Sequence, residues 1–106
     1  MLTRNKTFII TKESEGLKQM AYDEFISSVI RGFEFRIRLD KNIFIDIFTL
    51  NDKTSVICYD LVFKNETINI CDKEFLKTDI EKLEVYKYMT FKELFQSKMF
   101  EIIKMH

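Results

Sequence analysis

The chain has 106 residues, 46% of them hydrophobic and 32% charged, and its 17 basic and 17 acidic side chains cancel to a net charge of zero. This length predicts a single domain, residues 1–106, with one hydrophobic core. Zero net charge argues against strong non-specific binding to DNA or to an anionic membrane, and against an acidic DNA mimic. No apolar run reaches the roughly 18 residues that a spanning helix needs, so we expect no membrane segment and a cytoplasmic location.

The first elements along the chain are a short apolar run and an amphipathic helix. Residues 7–11 contain three consecutive apolar side chains and predict an edge strand or an ordered arm. Residues 17–31 predict a helix, because apolar side chains recur there at helical spacing. These side chains are Tyr22, Phe25, Ile26, Val29 and Ile30. Gly32 follows directly and suits the position after a helix, where a positive φ is common.

Residues 33–50 read as two strands joined by a turn at residues 40–42. Because a slip of one residue would turn every side chain to the other face, the apolar faces fix the pairing. The predicted pairs are Phe35 with Ile47, Ile37 with Ile45, and Leu39 with Ile43. The same register sets Arg36 opposite Asp46, an attractive cross-strand pair.

Two further strands are predicted after this hairpin. The third covers Thr54 to Phe63 and the fourth residues 67–71, so that residues 33–71 form a four-stranded antiparallel meander. A tight turn between them would bring Cys58 opposite Cys71. Asp72 is then predicted to cap a short helix, and the alternation over residues 83–88 indicates a brief strand or extended link.

The last predicted helix covers residues 91–103. Thr90 and Glu93 have the spacing of a capping box, in which each side chain binds the backbone N–H of the other residue. The predicted fold class is therefore α+β. It has an antiparallel sheet of about four to five strands, with an N-terminal amphipathic helix and a capped C-terminal helix packed on it.

Residues that could carry catalysis are scarce. The one histidine, His106, is the last residue, where chains fray, and glycines do not cluster as a phosphate-binding loop requires. Cys58 and Cys71 have no histidine nearby, so we interpret them as two small core residues and not as a zinc site. We predict no catalytic residue, no cofactor and no metal, and hence a non-enzymatic protein.

The second face of the central hairpin predicts a partner-binding site. Aromatic and arginine side chains, which are enriched in protein interfaces, alternate there with acidic ones. The predicted contact residues are Arg36, Arg38, Phe44, Asp46 and Phe48. Two alternatives stay open. A helix of the same chain or a twin subunit could cover the aromatic rings, or single-stranded nucleic acid could stack its bases on them.

Three short segments resemble a known group of proteins. They are residues 22–26 (YDEFI), residues 32–35 (GFEF) and residues 90–95 (TFKELF). A helix that ends in glycine, a strand of this type, a small meander and a capped terminal helix resemble small uncharacterised proteins of low-G+C Gram-positive bacteria and their phages. The resemblance implies a phage or mobile-element accessory protein. Inhibitors of host defence, anti-CRISPR proteins among them, often have this size and bind a protein target without enzymatic activity.

The resemblance rests on caps and core positions, so it assigns no catalytic residue. From the residues and the resemblance together, the predicted function is a non-enzymatic protein-binding module. Its partner would be a host protein or a second copy of the chain, in a structural homodimer. Nucleic acid is the less favoured partner.

Overall fold

A computed structural model describes residues 20–97 and 100–106, which form an α+β fold. The strands are β1 (Phe35–Asp40), β2 (Ile43–Thr49), β3 (Thr54–Phe63), β4 (Glu66–Leu76), β5 (Glu84–Tyr86), β6 (Met89–Thr90) and β7 (Glu101–Met105). The helices are α1 (Tyr22–Ile30), a 3-10 helix (Lys77–Lys82) and α2 (Phe91–Gln96). The main sheet has five antiparallel strands in the order β4-β3-β2-β1-β7, and β5 and β6 form a separate hairpin. The predicted fold class is confirmed.

The register of the central hairpin agrees with the sequence prediction over most of its length. Arg36 lies opposite Asp46 and Ile37 opposite Ile45, as predicted. The predicted pair of Leu39 with Ile43 is wrong, because the register shifts after Arg38 and sets Asp40 opposite Ile43. One extra residue in a strand next to a turn is an ordinary β-bulge, which face alternation alone does not reveal.

Helix α1 is shorter than predicted. It begins at Tyr22 after Ala21, whose backbone is extended, and residues 17–19 of the prediction lie outside the described residues, as does the predicted strand at residues 7–11. The predicted stop is confirmed, since Gly32 has a φ of +97° and its N–H donates to the carbonyl of Val29. A side chain at Gly32 would be strained at this positive φ.

The fourth strand is longer than predicted. β4 continues to Leu76, and the expected helix capped by Asp72 is replaced by the 3-10 helix that starts at Lys77. The reason is a bulge: Cys71 pairs with Cys58 and Lys73 pairs with Ile57, so that the residue between them has no partner on β3. After the bulge Phe75 lies opposite Ser55 and is buried, which explains why this segment continues the sheet.

The predicted C-terminal helix is confirmed at its start and wrong at its end. The capping box of Thr90 and Glu93 is present, with both reciprocal bonds, but the helix ends at Gln96 and does not extend to residue 103. Residues 101–105 form β7 instead, which pairs with the outer edge of β1 and buries Ile102 opposite Ile37. A short apolar run such as this suits either a helix or a strand, and the unpaired edge of β1 favours the strand.

The core lies between one face of the main sheet and the layer formed by α1, the 3-10 helix, the β5–β6 hairpin and α2. Phe25 is completely buried at its centre and contacts four aromatic rings at centroid distances of 4.9 to 5.5 Å. These rings are Phe35, Phe91, Phe95 and Phe100. No helix in the described part of the chain is both long and apolar enough to cross a membrane.

Two tyrosine hydroxyls, those of Tyr22 on α1 and Tyr59 on β3, have opposite surroundings. The Tyr59 hydroxyl donates a hydrogen bond to the carbonyl of Val85, whereas the Tyr22 hydroxyl is buried and forms no hydrogen bond with the described residues. Burial raises the pKa of Tyr22 above its ordinary 10.0. Because the unfolded chain then loses this proton first, the protonation state of Tyr22 costs no stability below about pH 10, and stability falls as the pH rises through the raised pKa.

We expect Tyr22→Phe to raise the free energy of unfolding by about 1 kcal/mol, because it removes a buried hydroxyl that has no partner among the described residues. Tyr59→Phe is the matched control, and we expect it to lower the free energy of unfolding by about 1 kcal/mol, because it leaves the Val85 carbonyl unpaired. Urea unfolding at neutral pH measures both. Equal effects of the same sign in the two variants would contradict the assignment of the hydroxyls.

Candidate functional site

The predicted contact face lies on the side of the sheet opposite the main core, and its centre is a charge cluster. Arg36 donates to Asp46 and to Asp60 through the same Nη1 atom, at 2.8 Å in each case. The side chain of Arg36 is 18% exposed, and those of Asp46 and Asp60 are 3% and 5% exposed. Three adjacent strands position these groups: Arg36 is on β1, Asp46 on β2 and Asp60 on β3. The cluster therefore holds the sheet together more than it presents charge to solvent.

Arginine and aromatic side chains stack beside this cluster. The Phe44 ring receives the Arg36 guanidinium at 4.5 Å and the Arg38 guanidinium at 5.6 Å from its centroid. Arg38 is exposed and also forms an ion pair with Glu101 of β7 at 3.1 Å. Phe44 is partly buried. Arg38 and Phe44 are thus the accessible members of the predicted contact face.

Phe48, the second predicted aromatic, is only 3% exposed. It packs with Val56 and Cys58 in a small second core on this side of the sheet. Of the five predicted contact residues, Asp46 and Phe48 are therefore buried. Arg36 and Phe44 are partly buried, and Arg38 is exposed. Their joint role as a partner-binding face stays a prediction.

The two cysteines form a disulfide, and the interpretation of both as small core residues is wrong because Cys71 is exposed. Cys58 is completely buried, whereas Cys71 on β4 is exposed. The pairing of β3 with β4 confirms that Cys58 lies opposite Cys71, as predicted. The bond links β3 to β4 next to the bulge. Among the described residues, no three histidine, cysteine or acidic side chains gather as a metal site would need.

We expect reduction of this disulfide to lower the free energy of unfolding by about 3 kcal/mol. The bond joins two residues that are 13 positions apart in the sequence and so restricts the conformations of the unfolded chain. Guanidinium unfolding with and without a phosphine reductant measures the loss. Cys58→Ala combined with Cys71→Ala is the control, and its stability should not respond to the reductant. A wild-type protein that is equally stable in both conditions would show that the bond contributes nothing.

Four strongly exposed apolar side chains of the sheet belong to β3 and β4. Phe63 is 52% exposed, Leu76 49%, Ile68 44% and Ile70 41%, and all but Leu76 lie near the turn between the two strands. Within the described part of the chain, no strand pairs with the outer edge of β4. We call the outer edge of β4 from Glu66 to Lys73, with Phe63, the β4 edge. Residues 66–71 are all exposed.

Sequence reasoning missed this surface. The sequence predicts a fourth strand over residues 67–71 but not which edge of the sheet this strand occupies. The signal that could have found it is the order of the meander, since the last strand of a meander lies at an edge unless a later strand covers it. β7 joins the opposite edge, beside β1.

An open cleft of about 540 Å³ lies near the base of β4 and is lined by Lys73, Glu74, Lys82, Leu83, Glu84 and Thr90. Its charges are mixed, and Lys73 Nζ donates to the carbonyl of Glu84 at 2.8 Å. The lining contains no histidine or cysteine. Its Lys73 is nevertheless held in place beside the β4 edge.

The chain was also compared with known proteins. No family model, no curated protein and no solved structure matches it.

Proposed function

We propose that the protein is a non-enzymatic protein-binding module that binds through the β4 edge. The observation that carries the proposal is the exposure of Ile68 and Ile70 on a strand whose outer backbone groups have no strand partner among the described residues. Edge strands of this kind accept an added strand from a partner, in which main-chain hydrogen bonds give affinity and side-chain contacts give specificity.

The composition of the edge supports the proposal. Natural edge strands are usually protected by proline, by lysine side chains, by a β-bulge or by short length. The bulge of β4 lies at residue 72, after the exposed residues 66–71. β4 has 11 residues, and between Glu66 and Cys71 it contains neither lysine nor proline. Exposed apolar side chains on an unprotected edge are costly to keep in solution and indicate a surface that a partner covers.

The face that contains Arg38 and Phe44 is the second contact region of this proposal. Its guanidinium and ring are accessible and already stacked, which suits the rim of a protein interface. Single-stranded nucleic acid is the weaker alternative. Base stacking on this face would use Phe44 and Phe48, and the burial of Phe48 removes one of the two rings.

A phage or mobile-element accessory role in the cytoplasm, with a host defence protein as the target, remains part of the proposal. The disulfide does not support a cytoplasmic location, since disulfides persist mainly in oxidising compartments. The proposed binding surface does not depend on the compartment, because Ile68 and Ile70 are not part of the disulfide.

Affinity capture with matched variants tests the function. Wild type, Ile70→Asp and Ile30→Asp would each be immobilised and exposed to the same cell extract, and bound proteins quantified by mass spectrometry. Ile30 is the matched control because it is 41% exposed, like Ile70, but lies on α1. We expect a protein that binds wild type and Ile30→Asp and is lost with Ile70→Asp. Identical sets of bound proteins for all three would contradict the proposal.

A further inference from the structure

We propose that the β4 edge binds a second copy of itself, so that two chains pair their β4 strands about a two-fold axis at Asn69 and form one continuous ten-stranded sheet. This inference rests on the proposed function and names its partner.

Along β4, the backbone N–H and C=O groups of every second residue point away from β3. The Cα atoms of Cys58 and Cys71 are 3.9 Å apart, the short separation of a pair that does not exchange backbone hydrogen bonds. On β3, the N–H of Val62 donates to Asn42 on the β2 side, so the even-numbered residues of β3 face β2 and the odd-numbered residues face β4. Both observations agree. The backbone groups of Thr67, Asn69 and Cys71 therefore point away from the sheet.

These three positions fit a two-fold axis at Asn69. Antiparallel neighbours in one sheet are related by an axis perpendicular to it, and an axis through an outward-facing residue pairs that residue with its own copy. Asn69 would exchange backbone hydrogen bonds with Asn69 of the twin, and Thr67 with Cys71 on both sides of the axis. Every outward backbone group of this segment then has a partner.

The same axis brings the exposed isoleucines together. Ile68 pairs with Ile70 of the twin, twice, in positions where opposite side chains approach most closely. Both side chains lie on the same face, because Ile68 is opposite Leu61 and Ile70 is opposite Tyr59 on β3. Four isoleucines that are each more than two-fifths exposed in one chain would form a continuous apolar strip across the axis.

The charges at the ends of the strip are complementary. Against β3, the bulge leaves out residue 72, so that Cys71 and Lys73 occupy successive pairing positions. If the twin strand accommodates the bulge in the same way, Lys73 falls opposite Glu66. Their faces agree, since Glu66 is opposite Phe63 and Lys73 is opposite Ile57. The dimer therefore gains two attractive cross-strand pairs, which also fix the register.

Light scattering behind a sizing column tests the proposal over protein concentrations up to about 1 mM, the weak limit of specific association. We expect wild type to be a dimer, Ile68→Asp a monomer and Ile30→Asp still a dimer. Glu66→Lys should weaken the dimer about tenfold, because it places like charges opposite Lys73 at both ends. Adding Lys73→Glu to Glu66→Lys should restore the association. Circular dichroism would establish that each variant is folded.

The outcomes separate this inference from the proposed function. A wild type that stays monomeric throughout, or a dimer that persists in Ile68→Asp, would overturn the paired β4 edges. A monomer that still loses a captured protein with Ile70→Asp would leave the binding function standing with another partner. A charge swap that fails to restore the dimer would overturn the proposed register.

Discussion

Phe25→Ala is expected to lower the free energy of unfolding by about 4 kcal/mol, the largest loss we expect from a single substitution. Phe25 is completely buried, and its ring contacts four other rings that come from β1, from α2 and from the segment before β7. No neighbouring element can close the cavity without losing its own contacts, so little relaxation should offset the loss.

Guanidinium unfolding followed by circular dichroism measures this effect. Phe33→Ala is the matched control, because Phe33 is exposed and contacts one arginine, Arg31, at 5.2 Å. We expect Phe33→Ala to cost less than about 1 kcal/mol. Similar losses in the two variants would show that the aromatic cluster around Phe25 is not the centre of the core.

Arg36→Met is expected to lower the free energy of unfolding by about 3 kcal/mol. Methionine keeps much of the volume of the arginine stem, so packing changes little, but Asp46 and Asp60 lose the guanidinium that lies 2.8 Å from each. Both carboxylates are almost fully buried, and a buried charge that loses its ion-pair partner is costly.

Arg38→Met is the control for this experiment. Arg38 forms an ion pair with Glu101 in which the side chains are 47% and 31% exposed, so we expect a change of less than about 1 kcal/mol. Thermal and chemical unfolding of both variants at neutral pH would give the comparison. An Arg36→Met protein as stable as wild type would mean that the cluster does not hold β1, β2 and β3 together.

The central part of the fold was predictable because independent signals agreed there. Face alternation and the attraction of Arg36 to Asp46 predicted one register, and the structure has it from Phe35 to Arg38. The start of α2 was predictable from the local capping box of Thr90 and Glu93. Both signals involve residues that are close together in the sequence or lie on the two strands of one hairpin.

Other features depend on distant parts of the chain and could not be predicted locally. The helical spacing of Ile102 and Ile103 also suits a strand, and the open edge of β1 decided between the two. The bulges after Arg38 and at residue 72 are additions of one residue that alternation cannot locate. The burial of Phe48 depends on what packs over that face of the sheet, which the strand sequence does not contain.

The candidate site also combines features that the sequence predicts with features that depend on the tertiary structure. The residue types of Arg36, Arg38 and Phe44 were apparent from the sequence, but whether each is accessible is a tertiary property. Among the described residues no strand covers the β4 edge, because β7 pairs with β1 on the other side of the sheet. Neither neighbouring residues nor composition reveal it.

Amide hydrogen exchange of β4, resolved residue by residue at several protein concentrations, tests the paired β4 edges most directly. In a single chain the amides of Ile68 and Ile70 point toward β3, whereas those of Thr67, Asn69 and Cys71 point outward. We predict that the three outward amides are protected and that their protection increases with protein concentration, while the protection of Ile68 and Ile70 stays constant. Outward amides that exchange at the rate of an open chain at every concentration would contradict the pairing.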